Sequence, residues 1–192
     1  MYCLSFLHLL CFLFSLNKSL LSQEMPVPVE VQYPLLLKII SFDHNFNSKI
    51  HNNIIIIGII YQERNINSKD CAENLLDAAE NSPIKTAFGK QVILEMINIS
   101  NAAEGLRKLN SGEYSILYIA PLRAFELSKI TSIAENQKIL TFTGVPKYVN
   151  EGISVGIDIQ SDKPRIVINL TSALSAGCDF HPQLLKISRI VQ

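Results

Sequence analysis

Residues that could do acid–base or nucleophilic chemistry are few in this sequence, and none of them forms a recognisable catalytic pattern. The histidines are His8, His44, His51 and His181. His181 follows Asp179 and is the best candidate for a base, but no nucleophile has a recognisable place beside it. A surface position at the start of a helix explains His181 better. No Gly-x-Ser-x-Gly elbow occurs. We therefore predict that the protein is not an enzyme.

Motifs that bind phosphate or metal ions are missing as well. Gly58 lies inside a predicted strand, and neither GxGxxG nor GxxxxGK[ST] follows it. The His, Cys, Asp and Glu residues are not clustered at the spacings of a metal site. The sequence therefore predicts neither a cofactor nor a bound metal.

Composition and charge narrow the remaining function classes. The chain has 192 residues, of which 48% are hydrophobic and 18% charged, which suits one domain with a sizeable core. Its formal net charge is zero. Because there is no basic excess to bind a phosphate backbone, nucleic acid is not an expected partner.

The first 22 residues differ from the rest of the chain. They are apolar almost throughout, and Lys18 is their only Lys or Arg. This length and position favour a signal peptide cleaved before Gln23, although an uncleaved anchor or a wrongly assigned start codon would also fit. Residues 23–33 contain two prolines and are predicted to be an extended lead-in segment, so that the folded domain covers residues 34–192.

Removal of this leader would leave two cysteines, Cys71 and Cys178. An oxidising compartment would favour a disulfide between them. They lie more than one hundred residues apart, and neither has the spacing of a redox or zinc motif. The sequence leaves two alternatives open, a bridge or a pair of buried thiols.

The elements that follow point to an α/β fold. Ile54 to Ile60 is a run of isoleucines interrupted only by Gly58, which is typical of a parallel strand buried on both faces. Further strands and helices alternate along the chain and predict a doubly wound, Rossmann-like, mostly parallel sheet flanked by helices. The predicted later strands cover residues 91–98, 115–120, 138–142, 153–159 and 165–170. The last two are joined by a short turn and should form an antiparallel hairpin at one edge.

Helix starts are predicted from capping residues and prolines. Ser68 is an expected N-cap, as is Ser100 or Asn101, while proline should open helices at Pro34 and Pro121. A final amphipathic helix is predicted from Pro182, with a buried stripe of Leu184, Leu185, Ile187 and Ile190.

The carboxyl ends of the parallel strands are the expected place for a ligand, because open α/β sheets bind ligands there. The candidate site residues are Tyr61, Arg123, Thr143, Gly144 and Tyr148. Arg123 could pair with an anionic group and a tyrosine could stack on the ligand. The alternative is that Arg123 is solvated and the tyrosines are packing residues.

The end of the chain resembles a known family. The run IVINLTSALSAGCDFHPQLLKISRIV couples a strand ending in Ile168-Asn169 to a helix of small residues, a glycine and a final helix with Leu184-Leu185. In this the chain is similar to the YfiR-like periplasmic proteins, and LLLKIISF and the Gly144 loop match in order as well. The resemblance implies an α/β fold, frequent dimerisation, no known catalysis, and control of an inner-membrane diguanylate cyclase.

Two functional hypotheses follow. The first is an exported, non-enzymatic regulator in the periplasm that binds and represses a membrane sensor such as a diguanylate cyclase. The second is a periplasmic small-molecule binding protein that uses the cleft at the strand ends.

Overall fold

Eight strands form one sheet in the computed structural model, which describes residues 24–191. In chain order the strands are β1 (Ile54–Tyr61), β2 (Thr86–Ala87), β3 (Lys90–Asn98), β4 (Ile116–Ile119), β5 (Leu140–Thr143), β6 (Val155–Gln160), β7 (Lys163–Asn169) and β8 (Arg189–Val191). Their order across the sheet is β2-β3-β1-β4-β5-β6-β7-β8. Across the sheet, the five neighbouring strands β3, β1, β4, β5 and β6 pair in parallel. This sheet and its flanking helices confirm the predicted α/β fold class.

Helices lie before, between and after the strands. They are α1 (Val29–Ile40), α2 (Ile66–Asn81), α3 (Ala102–Ser111), α4 (Ser128–Asn136), α5 (Leu170–Ser175) and α6 (Pro182–Ile187), with 3-10 turns at Phe46–Lys49 and Pro146–Glu151. The described helices are too short or too polar to cross a membrane.

Strand β1 lies inside the sheet, third of the eight strands, and both of its faces are apolar. Ile55, Ile57 and Ile59 are fully buried in the core formed with α1 and α2. Ile60 is buried in a second core that includes Ile130 of α4. Burial on both faces is the arrangement that the isoleucine run predicts.

The chain changes direction across the sheet after β1. It passes through α2 to β3 on one side of β1, and returns through α3 to β4 on the other side. The loops that follow β1 and β4 therefore lead away from each other. Such a topological switch point leaves a crevice between the carboxyl ends of the two strands.

The predicted antiparallel hairpin is confirmed in β6 and β7, which pair from Val155↔Ile168 to Gln160↔Lys163. The hairpin does not form the edge of the sheet, because β8 pairs in parallel with β7 outside it. The predicted final helix is shorter than expected and ends at Ile187. Leu184 is buried as predicted, but the side chain of Ile187 is 60% exposed, so the predicted stripe holds only in part.

The predicted extended lead-in is helical from Val29 onward, so Pro34 lies inside α1 rather than at its start. Tertiary contacts explain the early start, because the side chains of Gln32 and Tyr33 are buried on the sheet. The predicted signal peptide, residues 1–22, lies outside the described residues, and its cleavage stays a prediction.

Two other helix starts also differ from the predicted ones. Asn65, not Ser68, precedes α2, and residues 121–127 form a loop before α4 begins at Ser128. The loop conformation follows from Tyr148, whose hydroxyl accepts from the backbone N–H of Leu122 and donates to its carbonyl. Asn101 is confirmed as the N-cap of α3, where its side chain accepts from the N–H of Glu104.

Candidate ligand-binding cleft

A cleft of about 480 Å³ lies at the topological switch point, beyond the carboxyl ends of β1 and β4. Its size falls within the usual range for small-molecule sites. The cleft is lined by Gln62, Arg64, Asn65, Ile66, Asn67, Ser100 and Arg123.

Gln62 connects the loops after β1 and β4, which form two walls of the cleft. Its side-chain Nε2 donates to the carbonyl of Arg123 at 2.9 Å, and its Oε1 accepts from the N–H of Arg123 at 2.8 Å. With these two bonds the side-chain amide of Gln62 pairs with the backbone of Arg123, as the backbone of a neighbouring strand would. The loop after β4 is therefore held in place beside the end of β1, which positions Arg123 at the cleft.

The loop after β3 forms the third wall. Asn98 Oδ1 accepts from the N–H of Ser100 at 2.9 Å and from that of Glu63 at 3.3 Å. Ser100 Oγ accepts from the N–H of Arg64 at 3.5 Å. Because Asn98 ends β3 and Glu63 follows β1, these bonds join the loops after neighbouring strands.

The N-terminus of α2 faces this cleft, since Asn65, Ile66 and Asn67 are all lining residues. Asn65 does not cap the helix with its side chain; its Nδ2 donates to the carbonyl of Pro121 at 3.4 Å. The first turn carries no acidic residue. No acidic side chain in the first turn therefore offsets the partial positive charge at the start of this 16-residue helix.

The charges of the cleft are all positive. Arg64 and Arg123 have exposed side chains, and neither takes part in an ion pair within residues 24–191. The nearby carboxylate of Glu63 is not a lining residue and is bonded to Lys69 and to the hydroxyl of Tyr61. The hydrogen bond from Lys69, followed by that from Tyr61, lowers the pKa of Glu63. The cleft therefore favours anions.

Of the five predicted site residues, Arg123 is the one that lines the cleft. Tyr61 is 9% exposed and donates its hydroxyl to Glu63 Oε2 at 3.1 Å. Burial is the main reason why the pKa of Tyr61 is raised. Tyr61 thus lies beneath the wall of the cleft.

The other three predicted residues, at the end of β5 and in the segment that follows it, are buried. Thr143 Oγ1 donates to the carbonyl of Ile119 at 2.8 Å and accepts from the N–H of Val145. Gly144 packs against the side chain of Gln32. Tyr148 is 4% exposed, and burial raises its pKa to about 12. Ligand contact by any of these residues stays a prediction.

Several lining residues cannot be identified from the sequence alone. Arg64, Asn65 and Asn67 occur in a polar stretch without a motif, and Ser100 is read there as a cap. The available signal is positional, because Arg64, Asn65 and Asn67 lie within six residues of the end of β1 and Ser100 lies two residues after β3. Sequence alone does not show that the loop after β1 turns toward the loop after β3.

Cys71 and Cys178, the two cysteines in the described part of the chain, are free and buried. Cys71 Sγ lies 3.5 Å from Tyr118 Oη and 3.5 Å from Met25 Sδ. Burial raises the pKa of each thiol to about 12; the hydrogen bond with Tyr118 opposes this at Cys71, as the charge of Lys49 does at Cys178. Because only the thiolate is a good nucleophile, neither cysteine has the environment of a reactive thiol.

No group of three or more His, Cys, Asp or Glu residues in the described part of the chain is placed to hold a metal. The histidines near the C-terminal helix have structural contacts. His44 Nδ1 and Asp179 Oδ2 are 3.2 Å apart, and His181 Nδ1 accepts from the N–H of Gln183 at the start of α6.

Comparison with known proteins gives a family match and a set of distant structural similarities. The model of the YfiR/HmsC-like family matches residues 65–189. No curated protein matches the sequence.

Three solved structures are similar in fold. The ABC domain from Streptococcus pneumonia in complex with L-Trp has a TM-score of 0.58 and 14% identity, over 81% of this chain and 61% of its own. A conserved domain protein from Vibrio cholerae has a TM-score of 0.54 and 14% identity, over 86% and 60%. A ligand-free, open substrate-binding protein with adhesive properties from Clostridium difficile has a TM-score of 0.50 and 19% identity, over 72% and 54%. The chain thus spans about three fifths of these proteins or less, and the similarity shows the fold alone.

Proposed function

Because the chain belongs to the YfiR/HmsC-like family, we propose that it is an exported, non-enzymatic regulator that binds and represses a membrane sensor protein in the periplasm. The family match over residues 65–189 is the observation that supports this proposal, and membership supports a periplasmic regulatory role in broad terms. An inner-membrane diguanylate cyclase is the partner class that we propose.

The test measures the output of the partner. Cells that express the chain should contain less cyclic di-GMP than cells without it, and the tagged protein should co-purify with a membrane protein that has both a periplasmic region and a cyclase domain. Unchanged cyclic di-GMP together with no such protein in the eluate would contradict the proposal.

Export is part of the same proposal. We expect the protein in the periplasmic fraction, with Gln23 as its first residue in N-terminal sequencing.

A homodimer is also proposed, and sedimentation of the purified protein should then give twice the mass of the mature chain.

A second candidate function is supported by the cleft itself. A cavity of about 480 Å³ at the switch point of an open α/β sheet is where such folds bind small molecules. We propose small-molecule binding at this cleft as the alternative to the regulatory role. Calorimetry with a panel of small acids and amino acids should show saturable binding that Arg123→Ala weakens. Heat signals that stay flat across the panel would contradict it.

A further inference from the structure

We propose that the cleft selects small molecules that carry a compact double negative charge, namely a phosphate monoester or a dicarboxylate, and that it discriminates against amino acids. This inference rests on the second candidate function. It follows from which charges line the cleft, which hydrogen-bonding groups are already used, and which partners a ligand would lack.

The first step is the count of charges. Arg64 and Arg123 enter from the loops after two different strands, and no carboxylate is among the residues that line the cleft. A ligand with two negative charges would match these two guanidinium groups. Guanidinium groups bind carboxylate and phosphate through pairs of charge-assisted hydrogen bonds.

The second step concerns the neutral groups. The side-chain carbonyl of Gln62 already accepts from the N–H of Arg123, which leaves it one lone pair for a ligand. The hydroxyl of Ser100 and the amide of Asn67 line the same space. Both can donate to ligand oxygens. Together with the two guanidinium groups, the cleft offers more donors than acceptors, as an anion requires.

The third step concerns an ammonium group. An amino acid would bring its positive charge into a cleft that already holds two arginines, and Glu63, the neighbouring carboxylate, is bonded to Lys69 and Tyr61. Removing water from an ammonium group costs free energy when the group gains no charged partner. The carboxylate of an amino acid would still be attracted, but the whole molecule would bind more weakly than a dianion of similar size.

The distribution of polar groups supports a site rather than a solvated surface. Gln62 uses its whole side chain to fix the backbone of Arg123, and Asn98 fixes the loop that carries Ser100. Fixed loops hold the backbone from which the arginines extend before a ligand arrives, and this preorganisation lowers the cost of binding.

The test is calorimetry on the purified protein at constant ionic strength, with glycerol 3-phosphate, succinate, inorganic phosphate and L-tryptophan as separate probes. We expect glycerol 3-phosphate or succinate to bind at least about tenfold more tightly than L-tryptophan. Arg64→Gln and Arg123→Gln should each weaken the binding of the dianion by about tenfold. The control is Arg107→Gln, an exposed arginine of α3 outside the cleft, which should leave binding unchanged.

The outcomes separate this inference from the function on which it rests. Tight binding of L-tryptophan that Arg123→Gln abolishes would overturn the charge selection and leave the cleft as the binding site. Binding that Arg107→Gln weakens as much as Arg123→Gln would show a general charge effect and overturn the inference. No saturable binding of any probe would contradict both proposals. Melting curves of each variant show that it is folded.

Discussion

At the scale of the residue, Gln32 is the buried polar group that joins α1 to the sheet. It has no exposed surface; its Nε2 donates to the carbonyl of Val27 at 2.7 Å, and its Oε1 accepts from the hydroxyl of Tyr118 at 2.8 Å. Buried polar groups are tolerated when they are hydrogen-bonded in this way. The arrangement fixes how α1 lies on β4.

The first prediction tests that bond. Tyr118→Phe should lower the free energy of unfolding by about 1–3 kcal/mol, because it leaves Gln32 Oε1 buried without a donor. Urea denaturation measures the change. The matched control is Tyr33→Phe, whose part-buried hydroxyl makes a longer bond of 3.2 Å to the carbonyl of Ile84, and its cost should be smaller. Equal losses in the two variants would contradict the assigned role of Gln32.

A second prediction concerns Gly144, which the sequence offers as a ligand residue. A Cβ atom at this position would lie 2.5 Å from both Nε2 and Oε1 of Gln32, which has no room to move. Gly144→Ala should therefore destabilise the fold by about 1–3 kcal/mol in urea denaturation. The double variant with Gln32→Ala should lose less than the sum of the two single variants. Additive losses would show that the clash is not the cause.

At the scale of the element, α1 contains a proline that lowers its stability. Pro34 is the sixth residue of the helix, so it removes a hydrogen bond to the carbonyl of Glu30. Pro34→Ala should raise the free energy of unfolding by about 1–2 kcal/mol, since the restored bond outweighs the added freedom of the unfolded chain. Pro28→Ala, just before the helix, is the control and should give no gain. A loss of stability in Pro34→Ala would indicate that the ring packs in a way that the helix requires.

Elements with a strong pattern could be predicted from the sequence, and short ones could not. The isoleucine run of β1 permits one interpretation, and the hairpin of β6 and β7 is marked by its turn. Strand β8 has three residues with little burial, so its pairing with β7 depends on contacts that no local pattern shows. The start of α1 differs from the prediction because Pro26 and Pro28 indicate an extended segment and Pro34 indicates a later helix start.

The candidate site shows the same limit. The rule for strand ends predicts Arg123, since it depends only on the parallel sheet. Gln62 and Ser100 take part through hydrogen bonds between loops that are far apart along the chain. Thr143 and Tyr148 are buried through hydrogen bonds to β4 and to the loop after it. The sequence predicts β4 but does not show which side chains contact it.

At the scale of the whole molecule, the buried thiols predict how stability depends on pH. Burial raises the pKa of both Cys71 and Cys178 from 9.0 to about 12. The folded state therefore keeps these protons at a pH where the unfolded state has lost them. Their contribution to stability is complete below about pH 9 and is lost as the pH rises from there toward 12.

The measurement is urea denaturation at a series of values from pH 8 to pH 10.5. The double variant Cys71→Ala, Cys178→Ala should lose stability less steeply over this range than the unmodified protein. Tyrosines and lysines that titrate in the same range are common to both proteins. Tyr118 is the exception, because burial and then Cys71 raise its pKa, and the part due to Cys71 is lost together with the thiol. Identical slopes would mean that the thiols do not contribute.

The order of the strands also has a consequence for how the protein folds. From β5 to β8, every strand pairs with the one before it in the chain, so this half of the sheet can grow by adding neighbours. All residues that line the cleft precede β5, which begins at Leu140. We expect pulsed hydrogen exchange during refolding to protect the hairpin of β6 and β7, whose contacts are local, before the parallel pairs of β1 with β3 and β4, which close longer loops. The cleft would then be completed late in refolding, after the C-terminal hairpin has formed.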